Sequence, residues 1–253
     1  MSPFKNQPIE KWNNVTDCLI NQFPLDMCEL VDVVTCSWYR LWKSRIGDNK
    51  LYFPIRDINP PATVIGYILE KLIAKELALR YPTSWRGASN DGDKDIVCIS
   101  DVRFSFEIKT SGQRGVKVFG NRSYGQKLQN SNHAKKDKSG YYLTVNFNKE
   151  KLNLIRFGWI DAEDWKSQTS STGQMASLGK EVYEHKLKEL VYPYLREASI
   201  LIIRGVSEKV EFELNTQGIY TLKDLMTTTH LDKKYRKYQT LALESYGSLL
   251  EQS

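Results

Sequence analysis

Two acidic residues and a lysine in the first half of the chain have types and spacing that could do chemistry. Asp95 opens the apolar run Ile96-Val97-Cys98, and Glu107 follows twelve residues later within Phe106-Glu107-Ile108-Lys109. In an extended strand Glu107 and Lys109 project from one face, while Phe104, Phe106 and Ile108 project from the other. A carboxylate beside an ammonium, with a second carboxylate delivered from a neighbouring strand, can hold a divalent cation and steer a water molecule. That chemistry suits hydrolysis of a phosphodiester. An ionisable residue between Phe106 and Ile108 in a core strand is costly to bury unpaired. Glu107 therefore has two readings: a plain Glu107–Lys109 pair on a solvated sheet face, or a metal shared with Asp95.

The elements that must position these residues follow from periodicity. Residues 1–60 read as a helical N-terminal region, with apolar residues at mixed three- and four-residue spacing over Val15–Asn21 and Met27–Arg45. Asp48–Pro61 reads as a loop, and Asn59 or Thr63 is placed to cap the helix that follows. That helix, Ala62–Arg80, carries Ile65, Leu69, Leu72, Ile73 and Leu77 along one side and stops at Tyr81-Pro82. After a polar loop over 86–94, strands are expected at 95–100 and 103–110, joined as a hairpin through Ser100-Asp101. Ser111–Lys138 has no apolar periodicity, and a short helix is expected around 124–135. Tyr141–Phe147 and Leu152–Trp159 alternate as two strands around an Asn148–Lys151 turn. Residues 176–190 read as helical, Ile200–Ile203 and Val210–Leu214 as late strands, and Thr240–Leu250 as a closing helix. Without internal repeats or long linkers, residues 1–253 read as a single α/β domain.

Composition narrows the class. Charged residues are 26% and hydrophobic ones 41%, which is ordinary for a soluble globular protein. The N-terminus lacks the order of a signal peptide. The longest apolar runs, such as Ile200-Leu201-Ile202-Ile203, are far too short to span a bilayer. A cytoplasmic protein without a membrane partner is expected. Cys18, Cys28, Cys36 and Cys98 form no C-x-x-C pair, and His133, His185 and His230 are far apart, so reduced thiols are expected rather than a zinc site. The net charge is +6, and Asp101–Lys138 alone holds nine Lys/Arg against three Asp/Glu. A basic segment that begins at a candidate metal-binding strand fits an electrostatic footprint for nucleic acid better than a merely solvated face. The glycines form neither a P-loop nor a dinucleotide loop, and no nucleophile elbow surrounds a serine.

The Asp95…Glu107-Ile108-Lys109 spacing resembles the signature of the PD-(D/E)XK nuclease superfamily. Lys94 stands where the nominal motif has proline, a position that varies in such enzymes. The strand Glu107-Ile108-Lys109-Thr110-Ser111, followed by Gly120-Asn121-Arg122-Ser123-Tyr124-Gly125-Gln126, looks like the ScaI-type group of type II restriction endonucleases. The likeness is good over roughly residues 60–130 and looser around Trp165 and Ser171-Thr172-Gly173-Gln174.

This resemblance implies a restriction-endonuclease-like core, a mixed β-sheet flanked by helices, with Asp95 and Glu107/Lys109 on adjacent strands. It implies a Mg2+-dependent enzyme that cuts double-stranded DNA at a short palindromic site as a homodimer, with residues 1–60 a candidate dimerisation or DNA-embracing element. Mg2+ takes carboxylate, carbonyl and water oxygens, so Asp95, Glu107 and the Ile108 carbonyl are the expected ligands. Lys109 would orient or help deprotonate the attacking water. Two helical glutamates compete for a supporting role. Glu70 follows Gly66 by one turn, matching a G-x-x-x-E arrangement seen in many restriction endonucleases, while Glu76 lies nearer the centre of the apolar stripe; Glu70 is preferred. For DNA contact the candidates are Arg114, Lys117, Asn121, Arg122, Ser123 and Gln126, whose side chains can neutralise phosphates or read base edges. The cluster Lys233-Lys234-Tyr235-Arg236-Lys237-Tyr238 could grip flanking phosphates or be an ordinary solvated run. The competing functions are a structure-specific or repair nuclease of the same superfamily and a non-catalytic DNA-binding protein.

Overall fold

The computed structural model describes residues 2–121, 124, 137–167 and 175–251. Two helices open the chain, α1 (Trp12–Asn21) and α2 (Met27–Lys43). Asp26 starts α2 by accepting a hydrogen bond from the Cys28 N–H at 2.7 Å. The expected loop after α2 is instead a small antiparallel hairpin, β1 (Arg45–Gly47) with β2 (Tyr52–Pro54), and a one-turn helix, α3 (Ile55–Ile58). Asn59 ends α3 in the left-handed conformation and does not cap the next helix. That helix, α4 (Ala62–Arg80), begins after Pro61 without a side-chain cap. It is followed by β3 (Trp85–Gly87), β4 (Ile96–Cys98) and β5 (Phe106–Ser111).

A short β6 (Phe119–Asn121) leads to the two long strands, β7 (Gly140–Asn148) and β8 (Lys151–Ile160), and then to β9 (Trp165–Ser167) and β10 (Met175–Leu178). The expected helix over 176–190 is absent. β10 runs through its start, a single π-helical turn spans Val182–Lys186, and β11 (Leu187–Glu189) follows. The C-terminal part is helical: α5 (Glu208–Asn215), α6 (Leu222–Thr227) and α7 (Arg236–Tyr246), the last continued by a 3-10 turn over Gly247–Leu250. The late strands are therefore corrected to a 3-10 turn at Ile200–Ile202 and to α5. Ser199 caps the turn and Ser207 caps α5 through their hydroxyls. The alternation Val210-Phe212-Leu214 is misleading, because only Leu214 is fully buried and Phe212 is exposed. The short helix expected around 124–135 lies, apart from Tyr124, outside the described residues.

The main sheet has the order β11-β8-β7-β5-β4-β3. β5 and β7 are parallel and the other neighbours antiparallel, so the sheet is mixed. Phe106, Ile108, Tyr141, Leu143, Val145 and Phe157 bury one face against α1, α2 and α4, in one core with Leu30, Val34, Leu69, Ile73 and Leu77. Phe23, just after α1, sits at its centre and meets the rings of Trp85, Phe106, Tyr141 and Phe157. Fully burying an aliphatic or aromatic side chain contributes about 1.5–3 kcal/mol, so this face anchors the strands that carry Asp95 and Glu107.

The opposite face is more polar. The register sets Glu107 beside Tyr142 and Lys109 beside Thr144, and sets Thr144 in turn beside Arg156. Glu107, Lys109, Thr144 and Arg156 therefore share that face. A second small sheet, β6-β10-β9, lies over it, with Val118, Tyr142, Ile160, Trp165, Ala176 and Leu178 in a separate apolar cluster. A third core joins Leu154 of β8 to the C-terminal helices through Leu195, Ile200, Leu214, Leu222, Leu225, Tyr235 and Ala242.

Candidate active site

Asp95 immediately precedes β4, which pairs with β5 only at Ile96–Phe106. Beyond that pair the Asp95 carboxylate takes over from the backbone ladder: its Oδ2 accepts the Ile108 N–H at 2.7 Å. This bond fixes Asp95 against the centre of the Glu107-Ile108-Lys109 segment. Phe104 is not on the strand as expected. It belongs to a 3-10 turn, Val102–Phe104, capped by Asp101, which connects β4 to β5.

Glu107 is 2% exposed and lies between two ammonium groups. Lys109 Nζ is 3.6 Å from Glu107 Oε2, and Lys94 Nζ is 3.8 Å from Oε1. Lys109 also donates to its neighbour's carbonyl, Ile108 O, at 3.2 Å and stands 4.9 Å from the centroid of the Tyr124 ring. Burial alone would lower the Lys109 pKa, but Tyr124 and the carboxylates of Asp95 and Glu107 outweigh it and raise it above the ordinary lysine value.

Lys109 opens onto a cleft of about 640 Å³ between α4 and the two sheets. One wall is Ala62, Thr63, Gly66, Tyr67 and Glu70 of α4; the floor is Ile108–Gln113; the far wall is Phe119–Asn121 of β6 with Met175. Asp95 and Glu107 do not line the cleft. Glu70 reaches the cleft and pairs with Lys71 at 2.7 Å. That hydrogen bond is the main reason the Lys71 pKa is raised, and the Asp95 charge contributes as well. Glu76 is buried elsewhere, held by Arg40 and by Arg80 at 2.8 Å at the α2–α4 contact.

The DNA-contact candidates divide. Asn121 is on the cleft wall and Lys117 is exposed beside it in sequence. Arg114 turns away from the cleft, toward Glu208 at 3.1 Å and Glu211 at 3.9 Å of α5. Arg122, Ser123 and Gln126 lie outside the described residues, as do Ser171–Gln174. In the second basic cluster, Tyr235 and Tyr238 are core residues, Tyr235 donates its hydroxyl proton to Glu213, and Lys234 pairs with the same carboxylate at 3.2 Å.

Three residues to which the sequence reading gave no role stand at or beside the site. Lys94 is the second neighbour of Glu107. Arg156, 1% exposed, donates to the Val116 carbonyl at 2.9 Å and to Asn146 Oδ1 at 3.2 Å, while Asn146 Nδ2 donates to the Lys117 carbonyl at 3.0 Å. Together Arg156 and Asn146 clamp the backbone of 116–117 to the sheet. A signal was present in the sequence, because Arg156 interrupts an apolar strand just as Glu107 does.

The donors gathered here are two carboxylates and the Ile108 carbonyl, all hard oxygens, which fit a cation such as Mg2+ that retains several waters. Among the described residues no three His, Cys, Asp or Glu side chains converge on one point, so the rest of a coordination shell falls to backbone, water and substrate. No helix among the described residues is long and apolar enough to cross a membrane.

Comparison with known proteins gives a consistent picture. The family model for ScaI restriction endonuclease matches residues 2–191, the part that ends at β11. A type II restriction enzyme, ScaI, of Streptomyces caespitosus is 40% identical over 186 residues, covering 70% of this chain and 79% of that protein. No solved structure matches the chain.

Proposed function

The chain belongs to the ScaI restriction endonuclease family, and from that premise we propose that it hydrolyses phosphodiester bonds of double-stranded DNA at a short palindromic site, with Mg2+ as cofactor and as a homodimer. The observation that carries the site assignment is the Asp95 Oδ2–Ile108 N–H bond, which ties the first carboxylate to the strand bearing Glu107 and Lys109.

In this reading Asp95, Glu107 and the Ile108 carbonyl hold the cation. When bound, Mg2+ supplies Lewis-acid polarisation of the phosphoryl oxygen and a more acidic water. Lys109, at the head of the cleft, orients the water and offsets the charge that builds on the phosphate. Glu70, on the opposite wall, acts at one water's remove. The β5–β6 segment forms the DNA-facing side. Asn121 and Lys117 contact the duplex from it, and Arg122, Ser123 and Gln126 belong to the proposal on sequence grounds. Arg114 fits less well there than as the link to α5, given its pairing with Glu208 and Glu211. A two-fold dimer matches a palindrome because both share the axis, each subunit cutting one strand.

The test is digestion of a long, defined linear duplex with Mg2+ and with excess chelator. Discrete fragments with Mg2+ only are expected, and end-sequencing would give the site and the stagger. A smear, or cutting confined to branched substrates, would replace this reading with a structure-specific nuclease. A salt-sensitive gel shift without cutting would leave a DNA-binding protein.

A further inference from the structure

We infer that Lys94 is a positioning residue for Glu107 and the counter-charge of the carboxylate pair, and that it keeps divalent-cation binding weak until substrate phosphate arrives. This rests on the reading of Asp95 and Glu107 as cation ligands.

Each carboxylate oxygen of Glu107 faces a different ammonium, Oε1 toward Lys94 at 3.8 Å and Oε2 toward Lys109 at 3.6 Å. Lys109 stands at the cleft, whereas Lys94 approaches from the side of β7. Its ammonium donates to the carbonyls of Asp137 and Ser139, the latter at 3.1 Å, and lies 5.8 Å from the centroid of the Tyr142 ring. Gly140, at the positive φ of +147° that favours glycine, stands beside the lysine stem, where a Cβ would meet Nζ at 3.4 Å and Cε at 3.5 Å, ordinary contact distances. The group is thus held in place between the start of β7 and Glu107. Its side chain is only 15% exposed, so water and salt screen its charge poorly.

Lys94 and Lys109 each set a positive charge against Glu107. An ammonium 3.8 Å from a ligand oxygen opposes a divalent cation there, and a phosphate of bound DNA offsets that charge. An uncharged proline at position 94, as in the nominal motif, could not do this. Lys94 therefore makes cation binding depend on substrate.

The experiment is calorimetric titration of the full chain with Mn2+ and Mg2+ without DNA. Lys94→Gln removes the charge while its amide can still donate to the Asp137 and Ser139 carbonyls. It should bind the cation about tenfold more tightly than the parent chain, and Lys94→Arg should match the parent. Lys94→Met is the second neutral variant, and thermal melting establishes which variants are folded. Unchanged or weaker cation affinity in a folded neutral variant overturns the inference. Glu107→Gln separates the two possible failures. If it too leaves affinity unchanged, the assignment of the ligands falls. If it abolishes binding while the neutral position-94 variants match the parent, only the role of Lys94 falls. Should neither neutral variant fold, the parent chain decides: its Mn2+ affinity must rise about tenfold or more on a duplex with a non-hydrolysable linkage at the mapped site, and an unchanged affinity overturns the inference.

Discussion

Gly66 of α4 and Thr110 of β5 are so close that a Cβ at position 66 would lie 2.1 Å from Thr110 Oγ1. Thr110 is β-branched and stiff at χ1, so it cannot turn aside cheaply. This contact seats α4 on the strand of Glu107 and Lys109, and one turn later Glu70 arrives on the cleft wall. Gly66→Ala should cost about 1–3 kcal/mol by overpacking, partly offset by about 1 kcal/mol of helix propensity. Cleavage should fall further than this loss of stability explains, because Glu70 is displaced. Thr110→Ala in the same chain removes the 2.1 Å clash and leaves only its Cβ at 3.2 Å, so it should restore most of both. Melting curves and cleavage rates for the two single variants and the double variant measure the coupling. A strictly additive double variant would disprove it.

Lys109→Met, Asp95→Asn and Glu107→Gln should each reduce cleavage by about 10²–10³-fold or more, while specific binding in a gel shift changes little. On the proposed reading the triad acts on the phosphate, and the bases are read from the β5–β6 segment. Retained cutting by any of the three would remove that residue from the site. Glu76→Gln is the contrast: its carboxylate sits between Arg40 and Arg80, so the variant should melt lower yet cut normally at temperatures where it is folded.

The central strands β4, β5, β7 and β8 and the placement of Glu107 and Lys109 were legible because a strand's two-residue period leaves little choice of face, whereas the edge strands β3 and β11 were read as loop and helix. The helix Ala62–Arg80 was legible for the matching reason, a long apolar stripe ended by Tyr81-Pro82. Lys94 was not, because its role depends on where β7 begins, more than forty residues on. Nor were the turn at Ile200–Ile202 and α5: Ile200–Ile203 is a strand-like apolar run and Val210–Leu214 alternates, and the serine caps at 199 and 207 outweigh both; the closing helix expected over Thr240–Leu250 is present as α7 and its 3-10 continuation. Between 176 and 190 the apolar spacing is helical, yet the chain makes one π turn between two short strands.

Arg156 carries a structural prediction of its own. Its guanidinium is buried among the Val116 carbonyl, Asn146 and, at 3.8 Å, Glu189, and burial lowers its pKa. Arg156→Met removes the clamp on residues 116–117. Breaking a buried charged network by losing one partner costs about 3–5 kcal/mol. Arg156→Lys should recover only part of this, since an ammonium cannot reproduce the planar fork. Chemical denaturation measures the loss, and a conservative effect of Lys equal to the parent would show that the fork is not needed.

The loop before Asp95 is held by Asp93, whose carboxylate accepts from Arg86 at 2.7 Å and from the Ser89 N–H at 2.9 Å. The Arg86 guanidinium, then the Ser89 backbone, hold the Asp93 pKa well below the usual carboxylate range. A depressed folded-state value means that the contribution is complete above the unfolded value of 3.8 and is lost as pH falls toward the folded one. The melting temperature of Asp93→Asn should therefore lie below that of the parent at about pH 7, with the gap narrowing below about pH 4. A gap that widens with acid would contradict the assignment.

DNA affinity should fall steeply with salt, log K dropping by about 0.9 per decade of salt for each phosphate neutralised. The excess charge of Asp101–Lys138 overstates that number. Arg103 is engaged by Asp101 at 2.6 Å, Arg114 by Glu208, and Lys109 stands 3.6 Å from Glu107. Lys117 is exposed, its own carbonyl held by Asn146, and it is the phosphate contact proposed from this segment. Lys117→Ala should therefore flatten the salt slope by about 0.9, whereas Arg103→Ala, whose guanidinium is already taken, should leave it unchanged. Equal slopes for the parent chain and Lys117→Ala in a binding titration across salt concentrations would remove Lys117 from the DNA-facing surface.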